Sequence, residues 1–533
     1  MANYDFIIIG GGSAGCVLAD KLSACGRYQV CLLEAGPRDK HWSIHLPLGV
    51  IELMKSKTLN WQFNSSAEST QNNRQIFNPR GKTLGGSSAI NAMLYIRGQK
   101  EDYDHWAALG NDQWSFDKVL PYFKATQHQE RGESELHGIN GALNVADSRS
   151  KIPVGDNFIA AAQQAGYPYN EDFNGKQQEG VGYYQVTQKN GQRHSAADAF
   201  LTPNLPRTNL TIITNTLVQK IVMHDKKAIG IAVKINGKSQ QLLANKEVIL
   251  SAGAFNSPQL LLLSGIGPEE ELARHNINVV HALKGVGQNL QDHVDVMVVN
   301  HHQRTDLLAY RPKAAWWFIK QIGQYINKRR GILTSSVAET GGFIKSDPRL
   351  SRPDLQLHFI PAAMDDHGRN NKMLLNYGIS LHTCMLRPKS RGYVALHGNN
   401  PNLHPKIQLN MLSHPKDQQL MIKAVKIARN ILAQSPLAEN NGAEILPGKS
   451  CQTDDEIFEF IKNKANTIYH PVGTCKMGND DFAVVDQQLR VHGIANLRVV
   501  DASIMPTLIS GNTNAPTIMI AAKAADDILA TYN

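Results

Sequence analysis

No stretch of this chain approaches the ~20 consecutive apolar residues needed to cross a bilayer, so a helical membrane span is excluded. Cysteine is scarce. The six in 533 residues (Cys16, Cys25, Cys31, Cys384, Cys451 and Cys475) form neither a C-x-x-C pair nor a Cys/His spacing suited to zinc. Neither a disulfide framework nor a metal is expected, and a reducing compartment fits. The chain passes from Met1 into an apolar strand without the basic start, apolar middle and small-residue cleavage site of a secretory signal. The expected location is cytoplasmic, with attachment to the cytoplasmic face of the membrane as a variant. Charge of one sign is weak as well: 55 Lys and Arg against 46 Asp and Glu give +9, spread over a long chain. With no zinc finger, aromatic RNA-binding signature or basic heptad region, nucleic acid is not an expected partner. Repeats and low-complexity tracts are absent, and no pattern specifies an oligomeric state.

The chain does have a glycine-rich start, MANYDFIIIGGGSAGCVLADKL. The pattern predicts a buried strand over Tyr4 to Ile9 and a helix over Ser13 to Cys25, with Ala14, Val17, Leu18 and Leu22 at helical spacing and Gly26 beyond its end. Between them Gly10, Gly12 and Gly15 make the G-x-G-x-x-G turn that lets a helix N-terminus hold a pyrophosphate. YQVCLLEAG then reads as a second strand ending in Glu34, placed about 20 residues on, where such a fold hydrogen-bonds a ribose hydroxyl. This fingerprint accounts for the adenosine half of either NAD or FAD. Further on, Gly85, Gly86, Ser87 and Ser88 let backbone approach a flat ligand and offer donors. Near the C-terminus, Asn514 as a cap and Pro516 in the first turn predict a helix whose positive end favours a reduced flavin, with nothing comparable to offer a nicotinamide. The length suits two large lobes with a ligand between them, and the alternation of elements predicts an α/β chain whose nucleotide lobe is assembled from distant segments.

Four long stretches, GKTLGGSSAINAMLYIRGQKEDYD, GAFNSPQLLLLSGIG, YHPVGTCKMG and VVDASIMPTLISGNTNAPTIMIAAKAAD, resemble in order the signatures of the glucose-methanol-choline (GMC) oxidoreductase family. Within it the chain is most similar to choline-dehydrogenase-like bacterial alcohol dehydrogenases, in particular membrane-associated aliphatic alcohol dehydrogenases. The resemblance implies a Rossmann-like FAD-binding lobe built from discontinuous segments, plus an α+β substrate lobe with an antiparallel sheet. It places an FAD-binding portion with substrate-lobe insertions in 1–300, mainly substrate lobe in 301–470, and a segment returning to the FAD lobe with the catalytic residues in 471–533. FAD would lie along Gly10, Gly12, Ser13, Ala14, Gly15, Glu34, Ala35, Trp61, Thr83, Gly86, Asn91, Ala92, Met93, Val218, Ala252, Asp501, Ala502, Asn514 and Pro516. Ile90 stands where covalently flavinylated members carry a histidine, so non-covalent FAD is expected.

Taking hydride from an alcohol carbon requires the hydroxyl proton to leave too, and histidine is the efficient base near neutrality. Of 20 histidines, the family resemblance selects His470 as that base and Asn512 as its partner, an amide that can donate to the substrate oxygen but cannot accept its proton. The implied reaction oxidises a small alcohol, medium-chain primary aliphatic ones foremost, to an aldehyde, with electrons passing to a quinone or another acceptor. Choline oxidation, use of oxygen, and the non-redox lyase chemistry that shares this scaffold are the alternatives. None of Ser87, Ser88 and Ser251 sits in a nucleophile-elbow pattern. A choline cage would have to come from Glu339, Tyr377, Trp316 and Trp317, which nothing in the sequence brings together. Finally, RPKAAWWFIKQIGQYINKRRGIL predicts an amphipathic helix, with Ala315, Phe318, Ile319, Ile322, Tyr325 and Ile326 on one side and Lys313, Lys320, Gln321, Gln324, Lys328 and Arg330 largely opposite. Such a helix suits either a membrane surface or the packed lid of a lobe.

Overall fold

A computed structural model of the chain describes residues 3–235, 237–370 and 372–532. Met1, where the N-terminal reading begins, lies outside them. In chain order the strands used below are β1 (Asn3–Ile9), β2 (Val30–Leu33), β3 (Gly180–Tyr183), β4 (Leu210–Ile213), β5 (Val218–His224), β6 (Lys227–Ile235) and β7 (Lys238–Leu250). They continue with β8 (Val294–His302), β9 (Thr340–Ile344), β10 (Leu355–Ile360), β11 (Gly378–Met385), β12 (Asn441–Leu446), β13 (Asn466–Thr467) and β14 (Leu497–Val499). The helices are α1 (Ser13–Ser23), α2 (Gly253–Leu263), α3 (Pro312–Lys328), α4 (Pro415–Leu432) and α5 (Asn514–Tyr532).

The first sheet runs β4-β2-β1-β7-β6-β5, with β14 added beside β7. Its β4, β2, β1, β7 and β14 members pair in parallel. They read as unbroken apolar runs because both faces of the sheet are covered, as FIII in β1 and VCLL in β2 show by being wholly buried. α1 and α5 pack against each other over this sheet. Its most C-terminal strand comes almost 250 residues after β7, so the nucleotide lobe is completed from a distant part of the chain.

The second sheet runs β12-β8-β11-β10-β9-β3, with β13 beside β8, and every pairing in it is antiparallel. It carries a separate apolar core into which α4 packs Met421, Val425 and Ile431. The two sheets confirm the α/β architecture with a parallel nucleotide sheet and an antiparallel substrate sheet.

Three local details differ from the sequence reading. α1 ends at Ser23, two residues early, and Gly26 (φ 73°) follows in the left-handed conformation that only glycine adopts freely. Asn514 is the first helical residue of α5 and not its cap; the Thr513 carbonyl accepts from Thr517 N–H, while the Asn514 side chain accepts from Ser13 Oγ at 2.7 Å. Pro516 keeps its expected place, because a first-turn N–H has no carbonyl to meet. α3 does not gather its apolar residues on one face. Phe318 and Tyr325 turn inward with Trp317 onto the second core, while Ile319, Ile322 and Ile326 turn outward beside Trp316, which is 64% exposed. No helix among the described residues is long and apolar enough to cross a membrane.

Candidate active site

A cavity of about 360 Å³ runs from the glycine turn after β1 to the antiparallel sheet. At one end, β1 delivers Gly10 and Gly12, and the first residues of α1, Ser13 and Ala14, line the wall. The glycines are required by proximity. A Cβ on Gly15 would stand 1.9 Å from the Gly10 carbonyl oxygen, and one on Gly86 would stand 2.6 Å from the Cα of Gly12. The absence of both side chains lets loop and helix close while backbone N–H groups stay open to an anion. Glu34 reaches the same wall from the end of β2, accepting from Gly11 N–H at 2.9 Å and Gly36 N–H at 2.8 Å. Burial pushes its carboxyl up to about 7, against the pull of those two donors and of Lys82.

Along the middle, Ala35, Trp61, Gly86, Asn91, Ala92, Met93, Val218, Ala252, Asp501, Ala502 and Asn514 all line the cavity, as does Ile90. Asp501 is fixed by Gly253 N–H and Ser257 Oγ at 2.8 and 2.6 Å. Three of the residues expected at the cofactor stand behind the wall instead. Gly15 packs under Gly10, Thr83 is fully buried with its hydroxyl on the Pro37 carbonyl, and Pro516 is buried within the first turn of α5. The donor set fits FAD: a pyrophosphate cradle of glycine backbone, a ribose acceptor, and the N-terminus of α5 with Asn512 and Thr513 at the far wall. The four proposed choline-cage residues are not assembled in this wall. Glu339 lines a separate small cavity, and Trp316 projects from α3 to the surface.

At the other end His470 and Asn512 stand together, with Asn512 Nδ2 3.1 Å from His470 Nε2. Sequence reasoning missed the residue that orients them, His293, just before β8. Its Nε2 sits 3.1 Å from two carbonyl oxygens, Leu386 O and Ile509 O, neither of which can donate, so this nitrogen carries a hydrogen. Burial brings the His293 pKa down to about 3, so the ring is neutral and Nδ1 is a lone pair. His470 Nδ1, 2.9 Å away, must therefore donate to it. That leaves His470 Nε2 unprotonated and turned toward Asn512.

The amide is oriented by similar logic. Tyr184 gives its hydroxyl proton to the Leu357 carbonyl at 2.6 Å, so its oxygen accepts from Gln356 Nε2, and the same Gln356 nitrogen donates to Asn512 Oδ1 at 3.1 Å. Asn512 is thus held with its NH₂ facing the base. Asp292 accepts from the His470 backbone N–H at 2.8 Å, and Arg80 donates to the Tyr469 carbonyl at 2.6 Å. Burial, then His293, His358 and Arg80, hold the His470 pKa well below 6.5. Three cavity-lining residues, Met93 (φ 63°), Val337 (φ 73°) and Tyr469 (φ 73°), occupy the left-handed region that costs side-chain-bearing residues energy, a sign of backbone held for function.

Sequence profiles of the GMC oxidoreductase family match residues 4–295 and 388–521. The chain is 49% identical to an alcohol dehydrogenase (acceptor) of Pseudomonas putida, over 99% of this chain and 96% of that protein. It is 44% identical to the mitochondrial choline dehydrogenase of Homo sapiens, over 98% and 89%. A formate oxidase from Aspergillus oryzae, solved in work on its FAD modification, superposes with a TM-score of 0.91 at 27% identity, covering 100% of this chain and 99% of that one.

Proposed function

The chain belongs to the GMC oxidoreductase family and is an FAD-dependent oxidoreductase acting on alcohols, and from that premise we propose that it oxidises medium-chain primary aliphatic alcohols to aldehydes with His470 as the base. The observation that carries the assignment of the base is the unprotonated Nε2 of His470, fixed by the His293 contact and set beside the Asn512 amide in the cavity wall. An alcohol oxygen docking beside both nitrogens takes the place of their mutual hydrogen bond: it gives its proton to Nε2, while Asn512 Nδ2 donates to the oxygen and steadies the charge that develops on it. The imidazolium that forms keeps its Nδ1–H on His293, so the ring need not rotate during the transfer. FAD, when bound, supplies the acceptor for the hydride leaving the alcohol carbon.

The residues toward FAD are those of the glycine cradle, Glu34, Asp501 and the α5 N-terminus. Ile90 in the cavity wall offers no nucleophile for a covalent link, which supports a non-covalent cofactor. Ile51, Met54, Ile360 and Met364 give the cavity an apolar lining suited to an alkyl chain. For the electrons we propose a quinone-type acceptor reached at a membrane surface. From 307 to 338 the chain holds six Lys and Arg and no acid, and α3 within it exposes Trp316, Ile319 and Ile326. A flank of that kind can enter a headgroup layer while the lysines meet anionic lipid.

Choline oxidation is the second reading, favoured by the 44% identity to a choline dehydrogenase. Anaerobic mixing of the yellow protein with octanol or choline separates the readings. Bleaching of the flavin band by octanol, faster than by choline at equal concentration, is expected. Bleaching by choline alone would transfer the assignment to choline, and no bleaching by either would remove the oxidation chemistry from both.

A further inference from the structure

One side-chain cluster in the cavity wall has no part in the proton transfer. Asp295 on β8, His382 on β11 and His367 in the turn after β10 bring one donor atom each to within 4.8 Å of one another. Both imidazoles converge on a single carboxylate oxygen: His382 Nδ1 lies 2.7 Å and His367 Nε2 3.2 Å from Asp295 Oδ2. The Asp295 and His382 side chains are 1% exposed and that of His367 is 10% exposed. The second carboxylate oxygen, Asp295 Oδ1, and His382 Nε2 are buried with no hydrogen-bond partner.

Both imidazoles meet the same carboxylate oxygen and leave Oδ1 without a partner, an expensive arrangement for a carboxylate in a low-dielectric interior. The histidines are the only ion-pair partners of Asp295 among the described residues. A divalent cation placed among the three donor atoms would coordinate the carboxylate and both imidazoles at once. Two imidazoles and one carboxylate are a nitrogen and oxygen donor set suited to zinc-class divalent ions, which leave a coordination position open.

We propose that Asp295, His367 and His382 form a binding site for a divalent transition-metal ion in the wall of the alcohol cavity. Without an ion, His382 Nδ1 and His367 Nε2 donate their hydrogens to Asp295 Oδ2; on binding one they release those protons and present lone pairs, with any remaining hydrogen on the opposite nitrogen. His367 Nδ1 then donates to the Tyr469 hydroxyl, the outer hydrogen bond that metal-bound histidines need for orientation. His367 and His382 both line the cavity, so the ion enters by the substrate's route. The pattern is invisible to a search for metal spacing, because the three residues stand on separate elements of the antiparallel sheet and its loops.

The test uses the FAD-loaded enzyme, freed of metal with EDTA and titrated with zinc chloride against a chromophoric chelator. One zinc per wild-type chain is expected, bound about tenfold or more weaker in Asp295→Asn and in His382→Gln. The flavin absorbance per chain should stay unchanged, which separates loss of the site from loss of the fold. His367→Gln, at the cavity edge, decides the matter if the buried variants do not fold. Zinc uptake that is absent from the wild type, or equal in wild type and variants, overturns the site. So does displacement of the zinc by tetramethylammonium, which would show a pocket for organic cations.

Discussion

The two ends of the cavity are built from opposite materials. At the nucleotide end the working groups are backbone amides, exposed because Gly15 and Gly86 carry no side chains, and all but Gly86 of the essential pieces lie within the first 36 residues. At the proton-transfer end the working groups are side chains: His293, Gln356, His470 and Asn512, drawn from four separate segments. The first end binds a phosphate by leaving room, and any tolerable backbone of that shape will do. The second end must put a hydrogen on one nitrogen and keep it off another, which only a closed network of donors and acceptors can specify.

Filling the room at the nucleotide end should give the largest effect. A methyl on Gly15 stands 1.9 Å from the Gly10 oxygen, so Gly15→Ala forces α1 away from the loop. The purified variant is expected to be colourless and inactive, and retention of full flavin absorbance would show that the close approach is dispensable. Next in size is His470→Ala, which should keep FAD and lose about 10²- to 10⁴-fold in the rate of flavin reduction by alcohol. A variant within a few fold of wild type would remove His470 from the base role.

A smaller loss, about 10-fold or more, is expected for His293→Phe, because His470 can then adopt the tautomer with Nε2 protonated. His293→Gln, whose carbonyl can still accept from His470 Nδ1, should recover most of that loss. Equal defects in the two variants would mean that His293 serves packing and not proton placement.

The same contrast decides what could be read from the sequence. Glu34 and the glycine turn are legible because strand, loop and helix are contiguous and their spacing is the geometry. His470 and Asn512 are legible only through the family motifs, and the structure puts their side chains 3.1 Å apart. His293 gives no local signal: its meaning comes from carbonyls at 386 and 509 that only the folded chain brings near. The Asp295, His367 and His382 cluster is hidden likewise, since β8, β10 and β11 become neighbours through sheet register. Gly15, Thr83 and Pro516 were expected at the cofactor and stand behind the wall, because a motif marks the residues that shape a site as readily as those that touch its ligand. α3 shows the limit of periodicity: the spacing identifies a helix, but apolar residues fill both its packed and its exposed flanks, so the spacing could not say which way each side chain turns.

The smallest effect needs no substitution. Burial, with His293, His358 and Arg80 nearby, holds the His470 pKa well below 6.5, so protonation of the free enzyme's base begins only under acid conditions. The sign follows directly: the base works unprotonated, a lowered pKa widens the range over which it is unprotonated, and activity is lost as pH falls, not as it rises. The kcat/KM for a non-ionising alcohol such as octanol should therefore stay level from about pH 8 down to about pH 6.5, the ordinary histidine value, and decline only below it. A wild-type profile already falling well above pH 6.5 would mean that His470 is charged in the resting enzyme, and the neutral pair of imidazoles that distinguishes this end of the cavity from the glycine end could not then exist.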